Sequence, residues 1–226
     1  LCYATSKYPD KDFVYGGMII SNGDVGFHGR KEKNRLAATG NNHGSIEKIG
    51  ENYFVFYHRQ THKTSFSRQG CAEKIDIIRG KIQQAEMTSC GLNVAPLIAD
   101  GEYLAAIACN LTNGNMPHID PQQVAEDIPY ITHDNEGQFI ADIKNGTLIG
   151  YKYFYFKGSV LLTLFVRGEM QGDADNERVG VIHVASAKKW KNFDCVIDIE
   201  GKKNLQFIYK GDGKCELRSF RFDNIK

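Results

Sequence analysis

The sequence lacks an excess of either charge, a metal-type cysteine pair, a long apolar run and a strong helical period. Each absence removes a class of protein. Its 28 Lys and Arg against 27 Asp and Glu leave a formal net charge of +1. A chain so balanced exerts no overall pull on polyanions, so neither nucleic acid nor an anionic membrane surface is an expected partner. No apolar run approaches the roughly 20 residues that a membrane span needs. The six cysteines (Cys2, Cys71, Cys90, Cys109, Cys195 and Cys215) are scattered without a Cys-x-x-Cys pair, which argues against a zinc site. Most fall inside apolar strand patterns, where a free Cys behaves as a small hydrophobe. Cys195 and Cys215 are open to facing each other on neighbouring strands. No G-x-S-x-G, phosphate loop or dinucleotide fingerprint occurs. The opening "LCYATSKYPD" has no initiating Met, basic leader or apolar leader core. It starts inside a strand-like pattern, so a fragment or a processed chain is expected.

Glycine is abundant at 23 residues, proline scarce at 5, and aromatics make up 11%. Together with β-branched residues these point to many strands joined by tight turns. Short strand patterns recur: "LCYATS", "GMIIS", "YFVFYHR", "YLAAIACNL", "YKYFYF", "VLLTLFVRG", "VGVIHVAS", "FDCVIDI", "LQFIYKG" and "CELRSFRF". Turn signals separate them, among them "SNGD", "NNHG", "KNGT" and "KGDGK". Alternation puts Leu205, Phe207 and Tyr209 on one face. The same period sets Leu217, Ser219 and Arg221 opposite Arg218, Phe220 and Phe222, with Phe220 and Phe222 pointing inward. "DPQQVAED", residues 120–127, is the one modest helix candidate. The fold class is all-β, as a sandwich, barrel or propeller. At 226 residues the chain can form one large domain or two small ones. The polar, irregular "TNGNMPHIDPQQ" reads as a linker or long loop between them.

One segment concentrates polar chemistry. "TGNNHGSIEKIGENYFVFYHRQTHKTSFSRQGCAEKI" sets His43, His58, His62, Arg59 and Arg68 among strong strand formers. It is either a solvated edge or the rim of a polar pocket. His43 stands between glycines, which let a backbone come close to something. It reads as a hydrogen-bonded turn His or as a ligand at a crowded centre. Arg68 can fork onto a carboxylate or vicinal sugar hydroxyls, or pair with a surface acid such as Glu73. Asp10, Asp12 and Asp24 occupy turn-like contexts, where Asp is mostly structural.

Taken in order, four elements resemble the C-terminal part of a glycoside hydrolase family 43 catalytic domain: "LCYATSKYPDKDFVYGGMIIS", "TGNNHGSI", "YFVFYHRQT" and "FSRQGCAEKI". The resemblance implies the last blades of a five-bladed β-propeller over residues 1–85. It implies that His43 holds a calcium ion on the propeller axis, often through water. Arg68 would reach the sugar at the cleavage subsite, with Arg59 as a further substrate contact. Calcium prefers oxygen, so waters would complete such a shell. The family is inverting and takes a base Asp, a tuning Asp and an acid Glu from its first three blades. None of these maps onto this chain, and neither Asp24 nor Glu47 is promoted to fill the gap. Missing blades, in cis or on a second chain, would supply them.

From about Ala125 the chain resembles a family 6 carbohydrate-binding module, a β-sandwich of jelly-roll type. "VAEDIPYI", "FIADIKNGTLIGYKYFYFKG" and the closing hairpin "LQFIYKGDGKCELRSFRF" carry this likeness. It implies a sandwich over residues 125–226, with residues 86–124 connecting and contributing strands. Glu126 matches a structural calcium ligand, but Glu216, Leu217 and Arg218 stand where the family usually has Asn-Leu-Asp. An Arg there repels the ion. Trp190, the single Trp, is placed to stack on a sugar ring or to cap the core. The resemblance implies an α-L-arabinofuranosidase or β-xylosidase acting on xylan or arabinan oligosaccharides. The location is left open, with a secreted or periplasmic one favoured. The alternative is a carbohydrate-binding module without turnover.

Overall fold

The computed structural model describes residues 1–35, 37, 42–61, 64, 66–114, 128–175 and 179–225. Among them every regular element is a strand or a single 3-10 turn. Strands β1 (Cys2–Thr5) and β2 (Val14–Met18) form an antiparallel ribbon. β3 (Ser45–Ile49), β4 (Asn52–Gln60) and β5 (Arg68–Ile75) form a three-stranded antiparallel meander. A small hairpin, β6 (Ile77–Ile78) with β7 (Lys81–Ile82), follows. Residues Val55, Tyr57 and Ile75 of the meander bury against Ile19, Ile20, Ala85 and Met87, and Cys109 closes this core from the far side.

The remaining strands join one nine-stranded sheet that folds on itself. They are β8 (Leu97–Ile98), β9 (Gly101–Leu104), β10 (Asn110–Thr112), β11 (Tyr130–Asp134), β12 (Gly137–Ile143), β13 (Leu148–Lys157), β14 (Val160–Asp175), β15 (Val181–Ile197) and β16 (Glu200–Asn224). β16 pairs in turn with β13, β12, β14 and β9, so it stitches the layers together. The core between them is aromatic. Tyr151, Phe154, Phe156, Phe220 and Phe222 are fully buried, with neighbouring ring centroids 4.7 Å (Tyr151 to Phe220) to 6.4 Å (Phe154 to Phe156) apart. Each such ring stabilises the fold by roughly 1.5–3 kcal/mol through lost water contact alone. Residues 97–112 lie within this sheet through β8, β9 and β10.

Two expectations change. The "KGDGK" stretch is no hairpin turn: it lies inside β16, because β14 pairs along it without a break from Val166 opposite Leu217 to Asp175 opposite Ile208. Gly213 takes φ +73, where a Cβ would stand 2.0 Å from the Glu169 carbonyl, so the strand bends there and continues. Leu217 also points inward with Phe220 and Phe222, although strict alternation sets it opposite them. The ladder slips one residue between Phe165–Ser219 and Val166–Leu217, leaving Arg218 as the extra residue of a bulge. The face of Leu205, Phe207 and Tyr209 is buried as expected. Cys195 stands opposite Leu162 and Cys215 opposite Gly168, so these two do not face each other, and all six cysteines are free thiols. The 120–127 helix candidate lies outside the described residues.

Candidate functional site

The register of the meander sorts the polar residues of the His/Arg segment. Phe54, Phe56, His58 and Gln60 alternate along one face of β4, and Arg68 stands opposite Gln60 on β5. Ser45 pairs with Phe56, so His43, two residues earlier, comes level with His58, and the two rings lie 5.4 Å apart. Gly44 makes this approach possible: a Cβ there would stand 1.9 Å from the carbonyl oxygen of Phe56. His43 and Arg68 are exposed, and His58 is half-buried. The Arg68 Nη1 donates to the carbonyl of Ser67 at 3.3 Å. His43, His58, Gln60 and Arg68 therefore share one end of one sheet face.

Arg59 does not join them. The same alternation turns it to the opposite face with Val55, Tyr57, Gln69, Cys71 and Glu73. There its Nε donates to the Cys71 Sγ at 3.0 Å, and it lines a cleft of about 410 Å³ between β5, residues 88–92 and Ile107. Gln69 on this face donates to the Ala106 carbonyl at 2.8 Å. The buried Glu73 accepts from the Tyr57 hydroxyl at 3.1 Å, the Thr88 N–H at 2.7 Å and the Thr88 hydroxyl at 2.5 Å. Burial pushes its carboxyl up to about 7, against the pull of these donors and of Arg59.

A second buried carboxylate joins the two halves. Asp24 is 0% exposed. It accepts from the Met87 N–H at 2.6 Å and from Lys152 Nζ at 2.9 Å. Lys152 also holds Glu86 at 2.9 Å, and the Tyr153 hydroxyl donates to the other Glu86 oxygen at 2.6 Å. Burial pushes the Asp24 carboxyl up, with Lys152 and the Met87 N–H acting against it. Burial alone would lower the Lys152 ammonium, yet Asp24 and Glu86 hold it above its ordinary range. No local pattern marks this cluster: the partners of Asp24 stand 63 and 128 residues further along.

Trp190 sits on β15 among Phe139 and Phe165, each 5.6 Å away by ring centroid. The guanidinium of Arg167 stands 4.2 Å over its ring, so a sugar would stack there only with Arg167 moved aside. Arg167 pairs with Glu216 and, at 3.1 Å, with Asp134. Arg218 donates to Glu136 at 2.6 Å. Beside this network Tyr130, Arg167, Lys188 and Glu216 line a cleft of about 850 Å³. Glu126 lies outside the described residues. Among the described residues no group of three or more His, Cys, Asp or Glu is placed to hold a metal ion. Calcium takes roughly 6–8 oxygen ligands, and the paired rings of His43 and His58 offer nitrogen, so the described donors do not fit calcium at this face by themselves.

A meander with a polar His/Arg face is thus fastened to an aromatic-cored β-sandwich. Among solved structures, the chain is similar to a glycoside hydrolase family 43 arabinoxylan arabinofuranohydrolase from Bacillus subtilis, in complex with cellotetraose. The TM-score is 0.52 and the identity 19%, over 99% of this chain and 47% of that one. The chain is also similar to CsCBM6-3 from Clostridium stercorarium in complex with cellobiose, with TM-score 0.46 and 17% identity, over 59% of this chain and 100% of that one. No family model matches the chain. In sequence it is a homologue of a protein described as "Xylosidase/arabinosidase" from Thermoclostridium stercorarium: 42% identical over an aligned span of 237 positions that covers 97% of this chain and 50% of that protein. The chain thus spans about half the length of the curated relative it matches. These findings bear out the resemblance to glycoside hydrolase family 43 followed by a family 6-like module.

Proposed function

We propose that the chain is the C-terminal portion of an inverting glycoside hydrolase acting on plant-wall xylan or arabinan oligosaccharides, as an α-L-arabinofuranosidase or β-xylosidase. The homology to a xylosidase/arabinosidase carries this reading. The sugar lies against the face that holds His43, His58 and Arg68. Arg68 forks onto vicinal hydroxyls of the bound ring, and its fixed planar geometry orients the glycosidic bond. An inverting reaction needs a protonated carboxyl on the leaving oxygen and a carboxylate that activates water on the opposite side. Neither role is assigned to this chain. Asp24 is consumed by Lys152 and the Met87 N–H, and Glu73 by Tyr57 and Thr88. That engagement supports an acid and base supplied by missing blades, in cis or on a second chain. The ribbon β1–β2 supports the same reading, since Val14 and Tyr15 are each 67% exposed and an apolar surface of this kind is what a neighbouring blade covers.

The test is Arg68→Ala in protein that includes the upstream blades, assayed on aryl α-L-arabinofuranoside and aryl β-xyloside. Loss of a charged hydrogen-bond donor to the sugar lowers kcat/KM roughly tenfold to a hundredfold. Unchanged kcat/KM on both substrates contradicts the assignment. A second reading, a carbohydrate-binding unit without turnover, is favoured by the cleft of about 850 Å³ beside Arg167. Calorimetric binding of xylo-oligosaccharides with no hydrolysis in the presence of the upstream blades would select it.

A further inference from the structure

Two side-chain contacts joined by short stretches of backbone lead from the sandwich to the His43 turn. Lys152, on β13, holds Asp24 Oδ2 at 2.9 Å. Asp24 ends the turn Asn22–Asp24, and its own N–H donates to the Ser21 carbonyl at 3.0 Å. The other carboxylate oxygen takes the Met87 N–H at 2.6 Å, so both ends of the group are fixed. Asn22, also buried, accepts from the Asn42 Nδ2 through its Oδ1 at 3.2 Å. Asn42 is the residue before His43, whose ring lies beside His58. A buried carboxylate held by one cation and one N–H has a single stable orientation. The turn that carries it inherits that orientation, and Asn22 passes it to Asn42.

We propose that Lys152 is a positioning residue for the polar face of the meander: through Asp24 and Asn22 it fixes the Asn42–His43 turn, so the sandwich sets the geometry of a site on the other half of the chain. The proposal rests on the reading of His43 as a site residue, while the coupling itself holds whatever that face binds. It gives the sandwich a part in the reaction that sugar binding by the module does not require.

The experiment is ring 1H–15N NMR of the whole chain, read at His43, with His133 and His183 of the sandwich as controls. In Lys152→Met the His43 cross-peak moves and the two controls stay in place; Lys152→Arg returns His43 to its original position. A His43 signal unmoved in Lys152→Met overturns the proposal. Because Lys152→Met also weakens the junction, Asn22→Ala serves as the second variant. It leaves both ion pairs of Lys152 intact and is expected to move His43 alone. If all three histidines move in Lys152→Met while His43 stays put in Asn22→Ala, the effect is global and the proposal fails. Unchanged kcat/KM in Arg68→Ala would defeat the functional reading yet leave this coupling standing; an unmoved His43 would defeat the coupling alone.

Discussion

Lys152 Nζ lies 2.9 Å from the Oδ2 of Asp24, a residue 128 positions earlier in the chain. The contact is nearly dry: the Asp24 side chain is 0% exposed and that of Lys152 12%. Removing one partner of a buried pair strands the other charge. Lys152→Met, which leaves both Asp24 and Glu86 uncompensated, is expected to destabilise the chain by about 3–5 kcal/mol. Replacing both members, as Lys152→Met with Asp24→Leu, should recover part of that loss. Urea unfolding of the two variants against the parent checks both; equal losses for the single and double variants contradict the pair.

Glu73 gives a pH dependence of unusual sign. Its carboxyl is raised to about 7 from an ordinary 4.5. Between those values the folded chain holds a proton that the unfolded chain has released. The stabilisation is complete below the ordinary carboxylate value and is lost as pH rises through about 7. Between about pH 5 and about pH 8 the loss is on the order of 3 kcal/mol. Glu73→Gln removes this slope. Unfolding free energies of parent and variant across that window test it, and parallel pH profiles would contradict it.

Gly44 is irreplaceable at its place. A methyl group there would collide with the Phe56 carbonyl, at 1.9 Å. Gly44→Ala is expected to cost roughly 1–3 kcal/mol, as overpacked sites do, and to push His43 away from His58. A melting temperature equal to the parent's would contradict the close approach.

Trp190 reports its own environment, because it is the single Trp of the chain. With Arg167 4.2 Å over the ring, xylo-oligosaccharides should leave its fluorescence nearly unchanged. Arg218 also stands 5.5 Å over the ring, so Arg167→Ala combined with Arg218→Ala uncovers it and should make the emission sensitive to added sugar. A strong response in the parent protein would show that Arg167 yields its place to the ligand.

Much of this fold is legible in the sequence wherever a local period decides the structure. The β4 pattern and the faces of Leu205, Phe207, Tyr209, Phe220 and Phe222 follow from alternation between buried and exposed sides. The two glycines in "KGDGK" mislead, because a glycine signals a bend equally well in a turn and in a long strand whose neighbour continues past it. Leu217 is misread because a bulge at Arg218 resets the period, and a bulge is set by the partner strand. At the site, His43 and Arg68 come together through register, which alternation foretells. Arg59 separates from them by the same rule, visible once β4 is known to bury both faces. The Asp24–Lys152–Glu86 cluster was out of reach, since burial and partners come from tertiary packing across distant segments.

Whether the acid and base lie outside this chain is tested most directly by the anomeric configuration of fresh product. Proton NMR would follow hydrolysis of an aryl α-L-arabinofuranoside and an aryl β-xyloside, first with this chain alone and then with the upstream blades added or fused. No turnover by the chain alone, and inverted product once the blades are present, is the expected result. Turnover by the chain alone, or product of retained configuration, would contradict it.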